Sequence, residues 1–297
     1  MKTTKAIFFA ILAAILYSLM TPVSKLMQIS VPPVAEAGLL YLGAGIGMTI
    51  IYLIEQKAGK EQMRPSVGKE DLKYVIAMVI LDMLAPIFLL LGLSMSTPES
   101  VSLLNNFEIV ATTCIAALFF HEKIGKKLAL SIGIITLSCI LLSLDSSASL
   151  TFSIGSIFVL LACVCWGLEN NCTSSLSDKD TRQIVMIKGL GSGTASFLLS
   201  FVVGEKMASL GNCVLIMILG FLAVGLSVYF YVLAQNKIGA ARTSAYYAVA
   251  PFIGTLISLL IFREIPKETY YAALAAMAVG AWLCAKDEPF FPGRKNK

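Results

Sequence analysis

Apolar side chains run along this chain in long stretches separated by short polar joints. The stretches fall at roughly 4–27, 32–56, 71–95, 98–120, 125–144, 152–175, 182–204, 211–236, 240–262 and 267–285. Each is close to the ~20 residues that an α-helix needs to cross the hydrocarbon of a bilayer. The pattern predicts an all-α integral membrane protein with ten transmembrane helices. The longest joint, 56–70, reads as a loop or a short surface helix, and no stretch is long and polar enough for a separate soluble domain. The first stretch stays apolar to about Met27, carries Tyr17, Pro22 and Lys25, and lacks a small-residue cleavage site. It is expected to remain as the first helix rather than to leave as a signal peptide.

Composition agrees: 57% of the residues are hydrophobic and 14% are charged, against ~25% charged in a soluble domain. The placement of charge adds an orientation. If the N-terminus faces the cytoplasm, the inner segments hold 18 of the 23 basic residues, the outer joints hold four (Lys25, Lys206, Arg263, Lys267), and Lys188 lies within a span. Lys and Arg concentrate on the cytoplasmic side of membrane proteins. Both termini are therefore expected in the cytoplasm of a multi-pass plasma-membrane protein of bacterial inner-membrane type. The net charge of +5 needs no nucleic acid to explain it. Seven cysteines, almost all within spans, form no metal spacing, and His121 is the single histidine. No metal, cofactor or Ser/His/Asp catalysis is expected, and the chain does not read as an enzyme.

The second half of the chain repeats the first. Gly43-Ala44-Gly45-Ile46-Gly47 in the second span answers to Gly189-Leu190-Gly191-Ser192-Gly193 in the seventh, a shift of 189 − 43 = 146. Phe119-Phe120-His121-Glu122 answers to Ile261-Phe262-Arg263-Glu264, a shift of 264 − 122 = 142, and Tyr17-Ser18 to Trp166-Gly167, a shift of 149. The expected units are 1–147, 148–288 and a cytoplasmic tail, 289–297. Five spans per unit is an odd number, so the second copy enters the membrane inverted. Inverted repeats are a recurring plan of secondary transporters, with the substrate held near the midplane where the halves meet.

These features resemble the drug/metabolite transporter superfamily, and its EamA-type branch in particular. The resemblance rests on ten spans in two five-helix halves and on the Phe-x-x-Glu ends at Phe119–Glu122 and, less strictly, Ile261–Glu264. The chain departs from it at Glu108-Ile109-Val110, where the second half has Ala250-Pro251-Phe252. The resemblance implies a carrier of small metabolites, often an exporter of amino acids or related compounds. It also implies a cavity lined by helices one, three, four, six, eight and nine.

An ionisable side chain inside a span costs at least ~2.5–3.5 kcal/mol on insertion scales, so each needs a partner, water or a function. Asp82 and Glu108 lie near the middle of spans three and four, with no basic residue at comparable depth. They are candidates for proton coupling or for anchoring a substrate amine, or else are protonated acids bonded to a neighbouring helix. Glu169 and Lys188 stand almost equally far from the joint near Asp178 and Lys179, so a structural ion pair is as good a reading there as a functional one. Lys25 and Glu36 invite a similar pairing. Polar residues also recur on single helical faces. They add Tyr17 and Thr21 in the first span, Asn105 in the fourth, Trp166 and Asn170 in the sixth, Tyr231 and Gln235 in the eighth, and Tyr246 and Tyr247 in the ninth. Apolar walls with a few convergent polar groups are what a small-molecule pocket requires. The glycine runs read as sites of close helix packing.

The expected function is therefore alternating-access transport of a small polar or amphipathic metabolite, an amino acid or related compound, in the export direction. Flipping of a lipid or lipid-linked conjugate on the same fold is the alternative. The expected partners are a small-molecule substrate, the bilayer and, as a candidate driving ion, the proton, in a monomer or homodimer.

Overall fold

The structure is a computed structural model and describes residues 3–58, 65–120, 125–143, 153–247, 249–263 and 268–285. Among these residues no β-strand occurs, and thirteen α-helices account for the apolar stretches. In the first half they are α1 (Thr3–Tyr17), α2 (Met20–Met27), α3 (Pro33–Lys57), α4 (Leu72–Ser94), α5 (Pro98–Leu104), α6 (Phe107–Phe120) and α7 (Lys126–Ser143). In the second half they are α8 (Ile154–Ser175), α9 (Thr181–Val202), α10 (Leu210–Leu219), α11 (Ser227–Tyr247), α12 (Ala250–Phe262) and α13 (Glu268–Ala285). Among the described residues, seven helical stretches are long and apolar enough to cross a membrane, and three shorter apolar helices bring the total to ten. Glu122 and Glu264 of the two Phe-x-x-Glu ends, His121 and the tail after Ala285 fall outside the described residues.

Several expected spans are broken, each for a local reason. The first divides at Ser18-Leu19, because Pro22 has no N–H for the Ser18 carbonyl and its ring crowds that oxygen. The fourth divides at Asn105-Asn106, where the Asn106 side-chain amide donates to the Leu103 carbonyl at 3.1 Å and offers the backbone a local alternative to the helix. The eighth contains one wide π-helical segment, Gly220–Leu226.

The joint expected near residues 237–239 is itself helical, since α11 runs on to Tyr247. Yet α11 is no straight rod. Tyr231 and Tyr247 are 16 residues apart, about 24 Å along an ideal helix, while their ring centroids lie 5.0 Å apart. The Ser227 and Tyr247 hydroxyls lie 3.4 Å apart. The chain therefore turns back between these residues, and Tyr247 climbs again beside the segment it has just descended. The eighth and ninth passes are separate, as the hydropathy pattern requires.

The most extensive helix contacts all join one half to the other: α3 with α9, α4 with α8, α1 with α11, and α7 with α13. A twofold axis exchanging the halves carries α1/α11 onto α8/α4 and maps the other two pairs onto themselves. That is the contact pattern of inverted five-helix repeats. The glycine runs make the central pair possible. A Cβ on Gly189 would overlap the Gly45 backbone, and one on Gly43 would overlap Met217, so α3 meets α9 and α10 at backbone distance.

Polar contacts fasten both ends of the bundle. On the side of the described N-terminus, Lys179 pairs with Asp71 at 3.0 Å, and Arg182 pairs with Glu55 at 2.9 Å and Asp180 at 2.7 Å. At the far end, the Glu205 carboxylate accepts from Val34 N at 3.1 Å and Ala35 N at 2.7 Å, capping α3 from the other repeat. The expected Lys25–Glu36 pair does not form. Lys25 Nζ instead donates to the carbonyls of Leu93 (2.7 Å) and Ser96 (3.0 Å). The Glu36 carboxyl is fully buried and is not paired with Lys25. The reason is geometric: the orphan carbonyls at the end of α4 are within reach of the long lysine stem and need a donor.

Candidate functional site

Between the halves lies a small chamber of about 50 Å³. Its wall draws on both repeats: Tyr17 from α1, Tyr41 from α3, Asp82 from α4 and Glu108 from α6, against Trp166, Glu169, Asn170 and Thr173 from α8 and Lys188 from α9. The π-helical segment and α11 close it with Val224, Ser227, Val228, Tyr231, Val232 and Tyr247.

The centre of the wall is an ion network. Lys188 Nζ lies 2.8 Å from Glu169 Oε1 and 3.1 Å from Asp82 Oδ2, and all three side chains are buried. Thr173 Oγ1 donates to Glu169, and Tyr41 OH donates to Asp82 Oδ1 at 3.1 Å. The Asp82–Lys188 contact at 3.1 Å is an ion pair between the two repeats. Asp82 belongs to the first repeat and Glu169 and Lys188 to the second, so the network crosses the seam.

Glu108 has a separate setting. The break at Asn105-Asn106 puts it in the first turn of α6, at the positive end of that half-helix's dipole. Asn170 Nδ2 donates to Glu108 Oε1 at 2.7 Å and contacts Thr112 Oγ1 at 3.3 Å. No Lys or Arg side chain is paired with Glu108 among the described residues.

Four aromatic rings form the remaining wall. The Tyr17 ring stands edge-on to Trp166 at 6.2 Å and tilted to Tyr247 at 5.5 Å, and Tyr231 meets Tyr247 edge-on.

Eight of the twelve sequence candidates line this chamber: Tyr17, Asp82, Glu108, Trp166, Glu169, Asn170, Tyr231 and Tyr247. Four do not. Thr21 is buried on α2 beyond the helix break. Asn105 sits at the break itself and receives the Cys163 thiol at 3.8 Å. Gln235 lies one turn past Tyr231, buried, and neither of its side-chain polar atoms is bonded among the described residues. Tyr246 packs instead with Ala6, Ala10 and Ile238, because adjacent helical residues point about 100° apart and only Tyr247 faces inward.

Two expectations are corrected. Asp82 does have a basic partner, since the lysine stem spans the difference in depth that separates Asp82 from Lys188. The second and seventh helices also line the chamber, through Tyr41 and Lys188. Tyr41 was not singled out from the sequence. Its signal was a lone hydroxyl in the run Leu39-Leu40-Tyr41-Leu42, two residues before the first packing glycine.

Comparison with known proteins agrees with this architecture. The model of the EamA-like transporter family matches the chain twice, over residues 4–144 and 153–285. An uncharacterized transporter of Methanothermobacter thermautotrophicus is 25% identical over 274 residues, covering 86% of this chain and 78% of that protein. A solved crystal structure superposes with a TM-score of 0.71 at 15% identity over 94% of each chain, a likeness of fold.

Proposed function

Because the chain belongs to the EamA-like transporter family, we propose that it moves a small amine-bearing metabolite across the plasma membrane by alternating access, with the seam chamber as the substrate site. The observation that carries this reading is the composition of the chamber wall: three carboxyl groups against one ammonium. Buried charges of this kind in a membrane are costly and mark substrate or ion pathways.

The units that rock are the repeats 1–147 and 148–288, with 289–297 as a cytoplasmic tail. Their seam is crossed by Lys188–Asp82 in the middle, by Lys179–Asp71 and Arg182–Glu55 at one end, and by Glu205 on α3 at the other. The chamber holds a few waters at its present size. Metabolite sites run to several hundred Å³, so this is a contracted state, and substrate entry parts the halves. The breaks at Ser18-Leu19 and Asn105-Asn106 supply hinges for that movement. The basic residues gathered on the side of the N-terminus support cytoplasmic termini, and export is the direction proposed. A lipid flippase needs an apolar route open to the bilayer, which the polar wall disfavours.

Reconstitution into liposomes with a panel of labelled amines and amino acids, with and without a pH gradient, tests the reading. Saturable flux of at least one amine-bearing compound is expected, reduced tenfold or more by Glu108→Gln. Absence of flux for the whole panel, or flux indifferent to Glu108→Gln, contradicts it.

A further inference from the structure

We propose that the chamber selects a small organic cation of the alkylated-ammonium kind and rejects compounds that carry a carboxylate; this deepens the carrier reading above and rests on it. The first ground is the commitment of the polar groups. A substrate carboxylate needs a counter-charge or several donors. The one ammonium in the wall, Lys188, already lies between Asp82 and Glu169 at 3.1 and 2.8 Å. The donors nearest these acids are engaged as well: Tyr41 on Asp82, Thr173 on Glu169, and Asn170 on Glu108. An incoming carboxylate meets three acids and no uncommitted cation among the described wall residues, whereas an incoming cation meets Glu108, which has an amide and no ammonium beside it.

The second ground is the aromatic wall. Trp166, Tyr17, Tyr247 and Tyr231 form a continuous chain of rings with successive centroid separations of 6.2, 5.5 and 5.0 Å. The negative faces of such rings attract cations, and enclosed aromatic groups are a recurring means of holding quaternary ammonium groups. Val224, Val228 and Val232, at intervals of four in the chain, add apolar surface to the same wall. A primary ammonium brings three N–H donors that each need an acceptor, whereas the ring faces and the three valines offer none and leave only the hydroxyls of Tyr17, Tyr231, Tyr247 and Ser227 as acceptors on that part of the described wall. An alkylated nitrogen has few or no donors to satisfy, and its methyl groups suit apolar and aromatic walls.

The test compares three probes of nearly one shape on the purified full chain in lipid nanodiscs, by calorimetry. Choline is the cation, glycine betaine adds a carboxylate to the same head group, and 3,3-dimethyl-1-butanol replaces the charged nitrogen by carbon. Choline is expected to bind at least about tenfold tighter than either analogue. Tyr247→Leu and Glu108→Gln each weaken it tenfold or more, and Tyr247→Phe, which keeps the ring, weakens it less than Tyr247→Leu does. Unfolding midpoints near that of the parent chain certify that the variants are folded. Equal or tighter binding of betaine or the neutral analogue overturns the proposal, as does failure of choline to bind at millimolar concentration. If choline fails while amino acids are carried in liposomes, the cation selectivity falls and the carrier reading stands. If no compound is carried, both fall.

Discussion

Replacing Lys188 by Met removes one ammonium and leaves Asp82 and Glu169 facing each other across the seam. Both carboxyl groups are almost fully buried, at 1% and 3% side-chain exposure, and Lys188 lies within 3.1 Å of each. Breaking a buried ion pair on one side costs about 3–5 kcal/mol, because the remaining charge keeps its desolvation penalty and loses its compensation. Here two acids share the loss, which places Lys188→Met at the upper end of that range. The network as a whole is a different matter, since buried ion triads replaced by neutral groups of similar volume are often neutral in their effect on stability. Asp82→Asn/Glu169→Gln/Lys188→Met is therefore expected to recover most of the loss. Equilibrium unfolding of purified protein in mild detergent measures both differences, and the non-additivity between single and triple variants isolates the coupling. A Lys188→Met protein within about 1 kcal/mol of the parent, or a triple variant no better than the single one, would refute the assignment of Lys188 as the shared counter-charge.

Other expectations follow from the same geometry. Gly189→Leu drives a side chain into the Gly45 backbone, so the bundle should not assemble, seen as aggregation on size-exclusion chromatography, whereas Gly133→Ala, which meets nothing within 4 Å, should elute as the parent does. Glu205→Gln weakens the two charge-assisted bonds to the start of α3 and should cost about 1 kcal/mol in unfolding. Asn170→Leu removes the amide that positions Glu108, and should raise the apparent substrate KM in liposomes tenfold or more, while Asn170→Asp should not restore it.

How much of this was legible in the sequence depends on which physical constraint fixed each feature. The ten passes and the inverted halves could be read directly, because the thickness of the hydrocarbon sets helix length and an odd span count sets inversion. The glycine runs were legible for a similar reason: three glycines within five residues of a helix leave little use except close approach, and Gly45 and Gly189 do meet. The helix breaks were only half visible. Pro22 announces the one at Ser18, but Asn105-Asn106 depends on a side-chain bond that spacing does not reveal. Depth estimates located the pairing of Glu169 with Lys188 and missed Asp82, because distance from a joint ignores the reach of a lysine stem. Facing was the weakest point. Tyr246 and Tyr247 look alike in sequence, and helix rotation within the bundle decides which one enters the chamber. Tyr41 was lost because a single tyrosine in an apolar run carries no periodic signal.

The central claim is that the chamber at the seam opens in turn to the two sides of the membrane. Ser227 lies in its wall, buried, with its hydroxyl donating to the Ala13 carbonyl at 2.9 Å. A Ser227→Cys substitution in a chain whose seven native cysteines have been replaced puts one small thiol there. Labelling it with a membrane-impermeant methanethiosulfonate from each face of oriented vesicles is the most direct measurement. The account predicts reaction from both faces, with the balance between them shifted by transported substrate. Reaction from one face alone, whatever is added, would contradict it.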